Sequence, residues 1–101
     1  MRALSIRQPF AEAILAGRKR VEFRSRPTRV RGRVYVYASN TAHSRAGLSL
    51  PRGVIVGTVE IYDCARGTET YEWHLRKPKR LSRPRRPRQK PQPVWFFPFG
   101  R

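Results

Sequence analysis

Cysteine occurs once among the 101 residues, at Cys64, so no disulfide can form within the chain and a reducing compartment is its expected setting. Nowhere do eighteen apolar residues run together, and the opening Met-Arg-Ala-Leu-Ser-Ile-Arg has no apolar stretch of signal-peptide length. Neither a membrane contact nor a secretory leader is expected, and the cytoplasm is the expected location. His43, His74 and Cys64 lack metal-ligand spacing, so no metal is expected. There is no glycine-rich phosphate loop and no nucleophile elbow, and Ser5, Ser39 and Thr58 are single hydroxyls without a base beside them in sequence. No other cofactor is expected either. Negative charge is the scarcest property of all: six Asp and Glu stand against 23 Lys and Arg.

The resulting net charge of +17 is large for one small domain and opposes compaction by self-repulsion unless a polyanion or counterions screen it. Arg outnumbers Lys 19 to 4, and a guanidinium forks two hydrogen bonds onto a phosphate or stacks on a base. Nucleic acid is therefore the expected partner. A proteome rich in Arg would give the same count without any ligand, so charge alone carries no specificity. Hydrophobic residues make up 39% of the chain and aromatics 11%, enough for one globular domain spanning residues 1–101.

Ala3 to Ile6 reads as a short first strand. Pro9 suits a first helical turn, Phe10, Ala13, Ile14 and Gly17 recur as one helical stripe, and Gly17 supplies a left-handed stop. From Arg20 to Arg24 the period changes to two, which sets Val21 and Phe23 on one face and Arg20, Glu22 and Arg24 on the other. Residues 25–32 read as a loop, and Arg33 to Ser39 as a strand rich in Val and Tyr. Residues 40–52 are expected to be loop with at most a short helical turn. Gly53 to Tyr62 is the strongest strand signal, apolar on both faces, with Gly57 marking a bend or bulge. Tyr71 to Leu75 reads as a further strand. Arg76 to Pro91 holds nine basic residues and four prolines, which predicts a loop or extended arm. Val94 to Phe99 is expected to pin that arm to the core as a last strand. Strands outnumber helices, so the expected class is mainly β with α: a small, mostly antiparallel β-barrel with one or two flanking helices.

Lys19, Glu22 and Arg24 fall within six residues where a helix end meets a strand. If they line a cleft, Lys19 and Arg24 are phosphate or carbonyl donors and Glu22 orients one of them or accepts a proton. If they are surface groups, they form an ion pair worth about 0–1 kcal/mol. Glu60, a carboxylate within the most apolar strand, requires a cation, and Arg24 or Lys19 across the sheet is the expected partner. Tyr35, Tyr37, Tyr62, Tyr71 and Trp73 are either stacking faces for bases or core.

The block Ala-Leu-Ser-Ile-Arg-Gln-Pro-Phe from Ala3, the pattern Gly-x-Lys-x-x-Glu-x-Arg at Gly17, Lys19, Glu22 and Arg24, the run Gly57-Thr-Val-Glu60 and the ending Pro91-Gln-Pro-Val-Trp-Phe resemble the ASCH (activating signal cointegrator homology) domain of the PUA-like superfamily. The resemblance covers nearly the whole chain. It implies a PUA-like barrel with a cleft where the first helix and the Lys-bearing turn meet it, and members that bind RNA or act on nucleic-acid components. Some members resemble ribonucleases, and a related group hydrolyses N4-acetylcytidine with a Lys, a Thr and a Glu. Lys19 matches that Lys, whereas Glu22 stands at the Thr position and residues 66–72 hold no counterpart of the helical insert that carries the Glu.

The expected function is thus RNA binding, with DNA second, by a monomer. Ser5, Gln8, Lys19, Glu22, Arg24, Ser39, Glu60 and Trp73 are the expected cleft residues, and Arg76, Arg80, Arg83, Arg85, Arg86 and Arg88 the expected phosphate contacts. The alternatives are a hydrolase of RNA or a modified nucleoside, with Lys19, Glu22 and Glu60 catalytic, and a basic structural protein of a ribonucleoprotein.

Overall fold

The computed structural model describes residues 1–100. In chain order the elements are β1 (Ala3–Ile6), α1 (Phe10–Leu15), β2 (Val21–Arg24), β3 (Gly32–Ala38), α2 (Arg45–Leu48), β4 (Val54–Arg66), β5 (Tyr71–Arg85) and β6 (Trp95–Phe96). The strands form a six-stranded sheet ordered β2-β5-β4-β3-β1-β6, in which β1 and β3 run parallel and every other neighbouring pair antiparallel. No helix among the described residues is long and apolar enough to cross a membrane.

Both faces of the central strands are apolar, and each face has its own cluster. Leu4, Ile6, Val34, Val36, Val59 and Ile61 pack with Ala11, Ile14 and Leu15 of α1 on one side. The intervening residues Ala3, Tyr37 and Ile55 turn to the other side, where Phe96 and the half-buried Tyr35, Leu81 and Phe99 cover them. Alternation with period two distributes the two sets. The strand over residues 53–62 therefore reads apolar throughout because it is covered twice.

The helix lies one position round from the expected stripe. Ala11, Ile14 and Leu15 are its buried residues, while Phe10 and Ala13 are half-buried. Phe10 instead turns its ring toward His43, with centroids 4.7 Å apart, and toward the Lys19 ammonium at 5.5 Å. Gly17, at φ +79°, ends the helix in the left-handed region, where the lack of a Cβ removes the steric penalty.

A bulge falls at Val56, where β3 residues Val36 and Tyr37 face Gly57 and Ile55. At Gly57 an added Cβ would lie 2.4 Å from the Lys79 carbonyl and 2.6 Å from a Leu15 methyl, so the close approach of β5 and α1 to β4 requires glycine there.

The largest difference from expectation lies in residues 76–85, which continue β5 rather than forming an arm. Among the described residues, Val21 to Arg24 of β2 cover its other edge over Tyr71 to His74 and the Arg20 carbonyl takes the Leu75 amide, so the half from Arg76 onward pairs with β4 alone. Proline is tolerated on such an open edge, and basic side chains with proline also protect it from pairing with another chain. Pro78 sits in a bulge, between Arg76 opposite Glu60 and Lys79 opposite Thr58, with Lys77 at φ +53°.

The sheet curls into a half-barrel in which β5, next to one end of the strand order, meets the end strand β6 through side chains. Trp73 of β5 stacks on Trp95 of β6 with centroids 5.8 Å apart and planes at 6°, and Trp73 Nε1 donates to the Arg26 carbonyl at 3.0 Å.

Candidate functional site

Strand β2 carries its charged face inward. Glu22 is buried and Phe23 is 56% exposed, the reverse of a strand that simply hides its apolar residues. Two cations make this possible. Glu22 Oε2 accepts from Arg24 Nε at 2.6 Å, and Glu22 Oε1 lies 3.3 Å from Lys19 Nζ. Lys19 Nζ also donates to the Val21 carbonyl at 2.7 Å and lies 5.4 Å from the centre of the Phe23 ring. Arg24 Nη2 reaches across to the Ser5 carbonyl of β1 at 2.8 Å. A carboxylate shielded from water but shared between two cations keeps its hydrogen bonds, which is the condition for burying it.

These groups line a cleft of about 780 Å³. Its floor and walls come from the end of β1, the start of α1, β2 and the segment after β3. Of the residues expected there, Ser5, Lys19, Glu22, Arg24 and Ser39 are present. Ser39 Oγ accepts from the Thr41 amide at 3.3 Å, and Ser5 Oγ donates to the Gln92 carbonyl at 3.0 Å. Arg7, Phe10, Phe23 and Thr41 also line it. Glu22 is the one carboxylate against the three cations Arg7, Lys19 and Arg24 in this lining.

Three expected cleft residues lie elsewhere. Gln8 is 1% exposed; its Nε2 donates to the Pro51 carbonyl at 2.9 Å and its Oε1 accepts from the Glu12 amide at 2.9 Å. It caps the first turn of α1 and ties that helix to the loop before β4, so no polar atom is left for a ligand. Trp73 is buried against Trp95, and the Arg24 guanidinium carbon lies over its ring 5.5 Å from the centroid. Glu60 pairs with Arg76 at 2.9 Å and with Lys77 at 3.9 Å, not with Lys19 or Arg24, because its side chain points to the outer face of β4, where Arg33 lies opposite. The Arg76 hydrogen bond, reinforced by the charges of Arg76, Lys77 and Arg33, holds the Glu60 carboxyl below its ordinary pKa.

The expected phosphate contacts divide in the same way. Arg80 is committed to a bidentate pair with Glu12, at 2.7 and 3.0 Å, which joins β5 to α1 and lowers the Glu12 pKa. Arg83, Arg85, Arg86 and Arg88 are exposed, with the Arg85 guanidinium 4.1 Å from the centre of the Phe99 ring.

The arrangement, a half-barrel with a Lys-Glu-Arg cleft between its first helix and second strand, can be set beside known proteins. The family model of the ASCH domain matches residues 4–97. The chain belongs to the ASCH domain family. Its backbone is similar to the crystal structure of ASCH from Zymomonas mobilis, with a TM-score of 0.72 at 20% identity over 95% of this chain and 85% of that one. Crystal structures of two variants of the Zymomonas mobilis protein, one Tyr-to-Phe and one Ser-to-Ala, give 0.72 at 19% and 20% identity; each covers 95% of this chain, and 88% and 86% of theirs. No curated protein sequence matches the chain.

Within this ASCH domain, the cleft also holds residues not expected there from the sequence, Arg7, Phe10 and Phe23 among them. Arg7 and Phe10 stand inside the same Ser-Ile-Arg-Gln-Pro-Phe block that pointed to the site, so proximity in sequence was the available signal. Phe23 carried the opposite signal, because strand alternation assigns an aromatic residue to the core before a glutamate.

Proposed function

We propose that this ASCH domain binds single-stranded RNA, taking one nucleotide into the cleft. What supports the reading most is the composition of the cleft wall: Phe23, 56% exposed, shares the lining with Arg7, Lys19 and Arg24 and with the hydroxyl-bearing residues Ser39 and Thr41. An exposed ring gives a base a stacking face, cations give its phosphate a partner, and hydroxyls reach base edges or a 2′-OH. A cleft of about 780 Å³ falls in the size range of small-ligand sites. The net charge of +17 attracts the rest of the strand without reading its sequence.

Lys19 is a gripping residue in this reading. Its Nζ donates to the Val21 carbonyl at 2.7 Å and lies 3.3 Å from Glu22 Oε1, which holds the side chain in the cleft wall as a hydrogen-bond donor.

Fluorescence anisotropy with single-stranded oligoribonucleotides tests the proposal. Phe23→Ala is expected to weaken binding about tenfold with the fold intact, since base stacking on an aromatic ring is worth roughly 1–3 kcal/mol. Equal affinity of the variant and the native protein overturns the use of the cleft. Turnover of RNA or N4-acetylcytidine that Lys19→Ala abolishes replaces the binder with a hydrolase.

A further inference from the structure

Lys19 stands between two cavities. Beyond it, away from the cleft, lies a second hollow of about 400 Å³ between the end of α1 and the β4–β5 pair. Its apolar floor is Ile14, Val59 and Leu75, and its rim carries Arg20, Arg76 and Lys77 beside Tyr62. None of the residues lining it is a carboxylate. Glu60 engages Arg76 and Lys77 and Glu22 faces Lys19, so the four cations Lys19, Arg20, Arg76 and Lys77 are partly offset by two adjoining acids, one of which Arg24 also shares.

The hollow has a rigid edge and a flat face. The Arg20 carbonyl accepts from the Leu75 amide at 2.9 Å, which fixes the Lys19-Arg20 turn against β5. Tyr62 is 42% exposed, a cost for a ring of that size unless something covers it, and the Arg76 guanidinium carbon lies 4.6 Å from its centroid. Tyr62 and Arg76 together form a π platform of the kind on which bases stack. Its other ring neighbour is His74, met edgewise at 5.9 Å.

We propose that this hollow is a second nucleotide subsite, so that an RNA strand crosses the Lys19-Arg20 turn with one base against Phe23 and the next against the Tyr62-Arg76 platform. The inference rests on the RNA-binding reading above and extends it: the ligand is at least a dinucleotide, and the phosphate between its two residues lies over Lys19 and Arg20. Both cavities share Lys19 in their lining, so a single linking phosphate serves both. The platform accepts any base, because every base has a π face.

A chain-length series tests it, with oligouridylates of one to six nucleotides titrated at fixed salt against the native protein, Tyr62→Ala, Tyr62→Phe and Phe23→Ala. Tyr62→Ala is expected to lower dinucleotide affinity about tenfold and leave the mononucleotide unchanged, and Tyr62→Phe to retain both. Phe23→Ala is expected to weaken both lengths. Photocross-linking of a 5-bromouridine dinucleotide to the native protein, which needs no variant to fold, is expected to place adducts on both Phe23 and Tyr62. RNA binding with no dependence on Tyr62, or adducts at Phe23 alone, overturns the second subsite and leaves the first. Failure of every oligonucleotide to bind the native protein overturns both.

Discussion

Arg24 Nη2 donates to the carbonyl of Ser5 at 2.8 Å, which joins strand β2 at one end of the sheet order to strand β1 near the other. Among the described residues no backbone ladder pairs β2 with β1, so the half-barrel is held there by a side chain that Glu22 aims, at 2.6 Å from Arg24 Nε. The cleft and the seam of the barrel are consequently the same place.

Removing the guanidinium therefore costs stability as well as binding. Arg24→Met is expected to lower the free energy of unfolding by about 2–3 kcal/mol, because it deletes charge-assisted hydrogen bonds and leaves Glu22 with Lys19 alone. Urea denaturation measures it. The double variant Glu22→Gln with Arg24→Met is expected to recover part of the loss, since the carboxylate left short of a partner is then gone.

Gln8 and Phe23 are expected to behave as opposites. Gln8→Ala strips the α1 cap and the bond to Pro51, and should cost about 1–3 kcal/mol of stability with little change in the RNA affinity of the folded fraction. Phe23→Ala removes an exposed ring, so RNA affinity falls while the melting temperature stays within a few degrees. Thermal melts and anisotropy on both variants separate the roles.

The residues whose meaning was legible are those whose local pattern and tertiary role agree. Ala3 to Ile6 forms a strand, Gly17 stops the helix, Gly57 lies beside a bulge and the Lys19-Glu22-Arg24 triplet sits in a cleft, each for a reason present within a few neighbours. The residues that were misplaced are those decided at long range. Glu60 found Arg76, sixteen residues on, only because β5 continues past Leu75, and that continuation was hidden by prolines which an open edge permits. Gln8 bonds to Pro51 across 43 residues, and Trp73 is sealed by Trp95 from the last strand. No local period encodes those partners.

Acid is expected to loosen α1 from β5. The Arg80 hydrogen bond, with further help from the Arg80 and Arg18 charges, holds Glu12 below its ordinary pKa of 4.5 in the fold. A carboxyl depressed in the folded state contributes stability above its unfolded pKa, and that stability is lost as pH falls through the lower, folded value. Unfolding free energies from pH 7 down to pH 3 should thus decline less steeply in Glu12→Gln than in the native protein. An identical decline in the two would remove Glu12 from the account.

Salt separates the exposed arginines from the cleft. Each phosphate neutralised on a single strand adds about 0.7 to the slope of log affinity against log salt, whereas a stacking interaction releases no counterions. Arg83, Arg85, Arg86 and Arg88 lie exposed on and just beyond the open half of β5, so replacing all four with Gln should flatten that slope, by about 0.7 for every phosphate no longer neutralised. Phe23→Ala should lower affinity at every salt concentration and leave the slope where it was. Affinity measured from 50 to 300 mM salt distinguishes the two kinds of interaction. A quadruple variant whose slope equals that of the native protein would confine phosphate binding to the neighbourhood of Lys19.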